Sequence, residues 1–170
     1  MTGLVWSEAL ENKLEPMDAT HREFVACYNA VVEAAPEQLL AAFDALIAHT
    51  EEHFALENGW MEAVDFPGCH RAEHDRVLAV MYDIRKRVAG GDTFFFKRLV
   101  EELPAWFRNH VDGMDAALAF HLQSVGFDFE AGVLPALAEG EQRGEGCACA
   151  SLSAESACQP ETARSPACSG

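Results

Sequence analysis

Apolar residues recur at every third and fourth position through four successive segments of this chain, which is the periodicity of amphipathic helices. Typical helix-boundary residues flank the segments. We interpret Asp18 as the N-cap of the first helix, Pro36 as part of the first turn of the second, and Gly90–Gly91 as the end of the third. Because no segment alternates apolar and polar residues as a half-buried strand does, the sequence predicts an all-α fold.

Four helices joined by short loops predict an up-down-up-down four-helix bundle. The predicted helices span residues 18–34, 36–64, 69–89 and a last segment from Asp92 or Thr93 through Val111. Pro104 lies inside the fourth helix and removes one backbone donor, so we expect it to kink or split that helix. The stretch before Asp18, which carries Trp6 and Leu10, is predicted to lie as an N-terminal arm across one end of the bundle.

The composition changes after about Leu137. Residues 138–170 consist mainly of Gly, Ala, Ser, Glu and Cys, with one leucine and no aromatic residue. Such a stretch buries too little apolar surface to order itself, so we predict a bundle domain at 1–137 and a disordered C-terminal tail at 138–170. Four cysteines lie in this tail: Cys147, Cys149, Cys158 and Cys168. We interpret them as free thiols. A soft-metal or redox-sensing appendage is the alternative, which the close pair Cys147 and Cys149 favours, although the later spacings do not match a zinc motif.

The charge balance excludes several classes of partner. The chain has 170 residues, of which 12 are basic and 28 acidic, for a net charge of −16. It lacks the basic stripe that a nucleic acid or an anionic membrane surface requires, and no apolar run approaches the roughly 20 residues of a membrane helix.

The N-terminal residues do not resemble a signal peptide, so we expect a cytoplasmic protein with reduced thiols. The acidic surface favours a monomer.

Histidines and acidic residues form pairs at helical spacing. His53 and Glu57 are four residues apart, as are His70 and His74, so each pair lies on one helical face about 6 Å apart along the axis. Further candidates lie on the first and fourth helices: His21, His110 and Asp115. Every helix thus offers an imidazole or a carboxylate, and this donor set without thiolate favours iron or manganese over structural zinc.

Taken in order, four segments resemble the hemerythrin pattern H…HxxxE…HxxxH…HxxxxD. They read MDATHREF at 17–24, HFALENGWM at 53–61, FPGCHRAEH at 66–74 and WFRNHVDGMD at 106–115. Each piece alone is weak, but the complete pattern is highly specific, and all seven ligand positions are filled. The resemblance, to the single-domain bacterial type of the family, covers about residues 6–122.

The resemblance implies a non-haem di-iron centre, with two oxo- or hydroxo-bridged iron ions, that binds O2 reversibly. One iron would be saturated by His70, His74 and His110. The other would be held by His21 and His53 and would keep an open position for O2, while Glu57 and Asp115 would bridge the two. The residues expected to line a dry O2 pocket are Trp106, Phe107 and Val111.

Two positions depart from the family pattern, and one spacing needs an explanation. Asn58 stands where the family usually has an acidic residue, and we expect it to face away from the metals; Pro104 could shift where the fourth helix presents His110. His110 and Asp115 are five residues apart, which separates their side chains by about 140° on a regular α-helix. We therefore predict a π-type irregularity between them, which Gly113 would permit.

The resulting hypothesis is a non-enzymatic O2 binder that serves storage, delivery or sensing. A di-iron oxidase, a peroxidase, or a nitric oxide or iron-repair protein with the same ligands is the alternative. A metal-free helical interaction module is a third. His49 and His121 fit no ligand position and are interpreted as surface or partly buried histidines, although His49 could instead support a ligand carboxylate.

Overall fold

The fold is a helical bundle, as the sequence predicts. The computed structural model describes residues 3–134, and the predicted tail at 138–170 lies outside them. The helices are α1 (Glu15–Glu33), α2 (Leu39–Ala63), α3 (Cys69–Ala89), α4 (Phe94–His110) and α5 (Ala116–Ser124). A π-helical segment, Val111–Asp115, joins α4 to α5 without a break. The described chain therefore has four long helical segments, α1, α2, α3 and the continuous α4–α5, which we call rods. Within the described residues the only β-pairing is an isolated bridge between Asp128 and Val133.

The first helix begins earlier than predicted, and its presumed cap has another role. Its N-cap is Leu14, and Pro16 lies in its first turn. The buried Asp18 carboxylate accepts hydrogen bonds from the backbone N–H groups of Asn12, at 2.7 Å, and Leu14, at 3.1 Å. It therefore satisfies amides that precede the helix. Pro36 likewise lies in the turn before α2 and not in its first turn.

The N-terminal arm runs antiparallel along α1 and not across one end of the bundle. The backbone of Leu4 makes two hydrogen bonds with the side chain of Asn29. The amide of Asn29 accepts from the Leu4 N–H and donates to the Leu4 C=O, both at 2.8 Å. Further along the arm, the Arg22 guanidinium lies over the Trp6 ring, 5.5 Å from the ring centroid. The side chains of Leu4 and Leu10 are buried in the core. The arm thus closes an apolar face of α1.

We expected Pro104 to kink or split the fourth helix, and the split is not observed, because α4 continues through this residue. A proline cannot donate a backbone hydrogen bond, so the carbonyl of Val100, four residues earlier, loses its helical partner. The hydroxyl of Tyr28 on α1 donates to this carbonyl at 2.7 Å, and the contact is buried. The bundle therefore satisfies the acceptor that the proline leaves free.

The core consists of two apolar clusters with a polar layer between them. Along α1, Met17 belongs to one cluster and Phe24 to the other, and His21 lies between them. Along α2 the corresponding order is Phe54, Glu57 and Trp60. No helix within residues 3–134 is long and apolar enough to cross a membrane. The two clusters therefore enclose the polar layer from both sides.

Replacing Tyr28 by phenylalanine tests the account of Pro104. We expect Tyr28→Phe to lower the free energy of unfolding by about 1–3 kcal/mol, because it leaves a buried carbonyl without a partner. In the Pro104→Ala background, which restores the backbone N–H, the same substitution should cost clearly less. Urea unfolding of the four proteins of this cycle measures both costs. Equal costs in the two backgrounds would show that Tyr28 does not compensate for the proline.

Candidate metal centre

The polar layer contains all seven residues that the sequence singled out as metal ligands. They are His21, His53, Glu57, His70, His74, His110 and Asp115, and all are buried. Their ligand atoms form two groups compact enough to hold a metal ion. The side chains come from all four rods, so the bundle brings together residues that lie far apart in the chain.

Three imidazoles converge on one side of the layer. The Nε2 atom of His110 lies 3.2 Å from the Nε2 atoms of both His70 and His74. The two histidines of α3 are one turn apart and so point the same way, while His110 approaches from the end of α4. We call His70, His74 and His110 the three-imidazole group.

The other side of the layer holds two imidazoles, those of His21 on α1 and His53 on α2. Their ring centroids are 5.2 Å apart. We call them the two-imidazole group. In α1 the positions one turn before and after His21 are occupied by the buried apolar residues Met17 and Val25. This helix therefore offers one imidazole where α3 offers two.

Each carboxylate lies between the two groups. Glu57 places Oε1 at 3.0 Å from Nε2 of His53 and Oε2 at 3.2 Å from Nε2 of His74. Asp115 places Oδ2 at 3.2 Å from Nε2 of His21 and Oδ1 at 3.1 Å from Nε2 of His70. One oxygen of each acid thus faces each group, and both oxygens of both acids are directed into the layer.

The π-helical segment Val111–Asp115 brings Asp115 to this position, which confirms the predicted irregularity. Its wider turn allows residues five apart to share a face. The Nε2 atom of His110 and Oδ1 of Asp115 are consequently only 3.2 Å apart. Gly113 is not required for space, because a Cβ atom there would meet no atom within 4 Å.

The imidazoles keep both buried acids ionised. Burial is the largest influence on Glu57 and favours its neutral form, as does the neighbouring Asp115 carboxylate. The neighbouring imidazoles, His53 foremost, outweigh these effects and lower the pKa of Glu57 to about 2. Burial acts on Asp115 in the same way, but the close imidazoles, His110 foremost, hold its pKa well below the ordinary value. Two negative charges therefore lie inside the bundle at neutral pH.

The donor atoms fit a bound metal better than they fit one another. Several of them have no hydrogen-bond partner among the described residues, namely Nε2 of His21, Oε2 of Glu57 and both oxygens of Asp115. Buried polar atoms rarely remain unpaired. Ligands held at right angles by metal bonds of about 2.1 Å lie about 3.0 Å apart, close to the observed 3.1–3.2 Å contacts. A cation in each of the two groups would give these atoms a partner.

Aromatic rings pack against the imidazoles. The Phe54 ring stacks on His74, with centroids 3.8 Å apart, and the Phe107 ring meets His21 edge-on at 5.6 Å. Phe107 is buried and is itself stacked on Phe24 at 4.3 Å. The buried Val111 follows His110 directly. Apolar walls therefore exclude water from much of the layer.

Trp106 lies beside the three-imidazole group. Its ring stacks on His110 at 4.8 Å and is only half-buried. The indole N–H donates to the Glu73 carboxylate at 2.8 Å. Arg76 also donates to that carboxylate, and the hydrogen bonds from Arg76 and Trp106 lower the pKa of Glu73 to about 2. Trp106 is thereby anchored to α3 while it covers His110.

Our expectation for Asn58 is wrong. Its side chain does not face away from the layer, because its Oδ1 atom lies 3.0 Å from Nδ1 of His74. The alternative role considered for His49 is not observed either: its Nε2 atom faces the carbonyl of Thr20 at 3.0 Å. His121 packs against the ring of Phe66. The contact of Asn58 crosses from α2 to α3, so no spacing within one helix could have revealed it.

Comparison with known proteins places the chain in a family. The model of the family described as "Hemerythrin HHE cation binding domain" matches residues 12–119. A bacteriohemerythrin of Ralstonia nicotianae is 49% identical over 130 residues, which are 75% of this chain and 95% of that protein. A bacteriohemerythrin of Stenotrophomonas maltophilia is 29% identical over 70% of this chain and 81% of its own length. The chain therefore belongs to the hemerythrin family.

Proposed function

We propose that this protein binds O2 reversibly at two iron ions held by the seven residues of the polar layer. The observation that carries the proposal is the position of the two carboxylates, each with one oxygen toward the three-imidazole group and one toward the two-imidazole group. Two acids so placed can be shared by two cations. Cys27 and Cys69 belong to neither ligand group, and a donor set of imidazole and carboxylate suits iron.

The two ligand groups offer different numbers of donor atoms, which supports different roles for the two ions. The three imidazoles with Oε2 of Glu57 and Oδ1 of Asp115 offer five donor atoms to one ion. The two imidazoles with Oε1 of Glu57 and Oδ2 of Asp115 offer four to the other. An ion held by His21 and His53 would thus have one protein ligand fewer, which would leave room for O2. A pair of ferrous ions would supply the two electrons that O2 takes up on binding and returns on release.

The apolar walls favour release of O2 over its further reduction. Phe107 lies edge-on against His21, on the side with fewer ligands, and it is backed by Phe24. His49 is the nearest titratable ring to His53 outside the ligand set, at 6.0 Å between centroids, and its Nε2 atom faces the Thr20 carbonyl. A site kept dry in this way limits the supply of protons to bound oxygen. These features favour a carrier, store or sensor over an oxidase or a peroxidase.

The first prediction concerns the intact protein. Purified chain loaded with ferrous iron should hold two irons and develop a visible absorption in air that disappears under nitrogen and returns over repeated cycles. Iron analysis and spectra during these cycles test this. Irreversible bleaching in the first cycle would favour the enzymatic alternative, and a chain that binds no iron would be a helical interaction module.

The second prediction separates ligands from neighbouring histidines. His53→Ala should reduce the iron content below two per chain and abolish the O2-dependent absorption, because it removes half of the two-imidazole group. His49→Ala is the matched control, one turn earlier on the same helix, and should retain both properties. Iron analysis and the same spectra measure the outcome. If the two variants behaved alike, His53 would not be a ligand.

The third prediction concerns water exclusion. Phe107→Ala should accelerate autoxidation of the iron-loaded protein, since water gains access beside His21, and should lower the free energy of unfolding by about 3–5 kcal/mol. Phe120→Ala, at a ring that is 70% exposed, should change neither. Autoxidation is followed by the decay of the O2-dependent absorption. An autoxidation rate that Phe107→Ala leaves unchanged would remove this ring from the O2 pocket.

A further inference from the structure

We propose that Asn58 is a positioning residue for His74, and that its neutral side chain keeps the reduction potential of the iron pair higher than a carboxylate would. The inference concerns a residue outside the seven ligands and rests on the proposed function, because it presumes that His74 binds iron. It is based on the contact between Oδ1 of Asn58 and Nδ1 of His74, at 3.0 Å.

The contact fixes which ring nitrogen of His74 carries the hydrogen. An amide oxygen is only an acceptor, so Nδ1 of His74 is the donor. The lone pair of the neutral ring is then on Nε2, which lies 3.2 Å from both Nε2 of His110 and Oε2 of Glu57. A metal ligand needs its lone pair at that position. Asn58 therefore selects the tautomer that can bind a metal.

This support distinguishes His74 from three of the other imidazoles. The Nδ1 atoms of His21, His53 and His70 have no hydrogen-bond partner among the described residues. The ring of His74 is fixed in addition by Phe54, which stacks on it with an interplanar angle of 4°. A side-chain acceptor on one edge and an aromatic ring on one face together restrict the imidazole to a single orientation.

The chemistry of the acceptor decides how strongly His74 donates to the metal. A carboxylate that accepts from the outer N–H makes an imidazole more basic and a better electron donor, and it stabilises the oxidised metal. A neutral amide does so less. Asn58 also lines a surface cleft of about 210 Å³ together with Glu62, Asp65 and Arg71, so its contact with His74 lies near solvent. A neutral acceptor there holds the ring without adding a third negative charge to the centre.

The test compares three variants by reduction potential and by the rate at which iron passes to an external chelator. Asn58→Leu, which keeps the size but not the acceptor, should lose iron about 10–100-fold faster, the usual effect of removing such a partner. Asn58→Asp should lower the reduction potential and slow the loss of iron. Asn109→Asp is the matched control: it adds the same charge at an exposed residue beside His110, without the contact to His74, and should have a clearly smaller effect on both.

Each outcome bears on one claim. If Asn58→Leu kept iron as well as the unaltered chain, or if Asn58→Asp and Asn109→Asp lowered the potential equally, the proposed role of Asn58 would be overturned. The unaltered chain separates this failure from that of the proposed function: iron that binds with reversible O2 absorption leaves the function intact, whereas absence of both removes the function and the inference together. Circular dichroism of the variants checks that each remains helical.

Discussion

Two ionised carboxylates buried in an apolar bundle are the constraint on which the rest of this structure depends. Glu57 and Asp115 have no exposed surface, and an uncompensated charge in such surroundings is strongly destabilising. Five imidazoles approach these acids, but several of the donor atoms have no hydrogen-bond partner among the described residues. Cations shared between the acids would resolve the conflict. Because the site forms only when four rods meet, metal binding and folding should be coupled.

The apolar clusters and the polar layer depend on each other. His21 lies between Met17 and Phe24 in the chain, and each neighbour belongs to a different cluster. The clusters hold the rods at the separation the layer needs and keep water from it. The packing of α1 against α4 also supplies a missing hydrogen bond. Pro104 leaves the Val100 carbonyl of α4 without a helical partner, and the Tyr28 hydroxyl of α1 donates to it. Rigid surroundings of this kind keep donor atoms in place before a metal arrives.

Much of the fold could be predicted from the sequence because it follows from periodicity, and the convergence of the candidate ligands is predicted from the resemblance to the hemerythrin pattern. Residues four apart share a helical face, and the five-residue spacing of His110 and Asp115 required the π-helical segment that is observed. The errors concern contacts between elements. Asp18 has the residue type of a cap but accepts from Asn12, outside the helix, and Asn58 meets His74 across two helices. Such contacts depend on packing, which a linear pattern does not contain.

The two ligand groups differ in size because α3 and α1 contribute different numbers of histidines to the layer. α3 places histidines at both of its positions in the layer, His70 and His74, whereas α1 places only His21 there and surrounds it with Met17 and Val25. Under the proposed function, a second imidazole on α1 would equalise the donor sets of the two ions and would fill the position left for O2. The apolar residues Met17 and Val25, four positions before and after His21, therefore matter to the proposed function because neither can supply a further donor atom to the site.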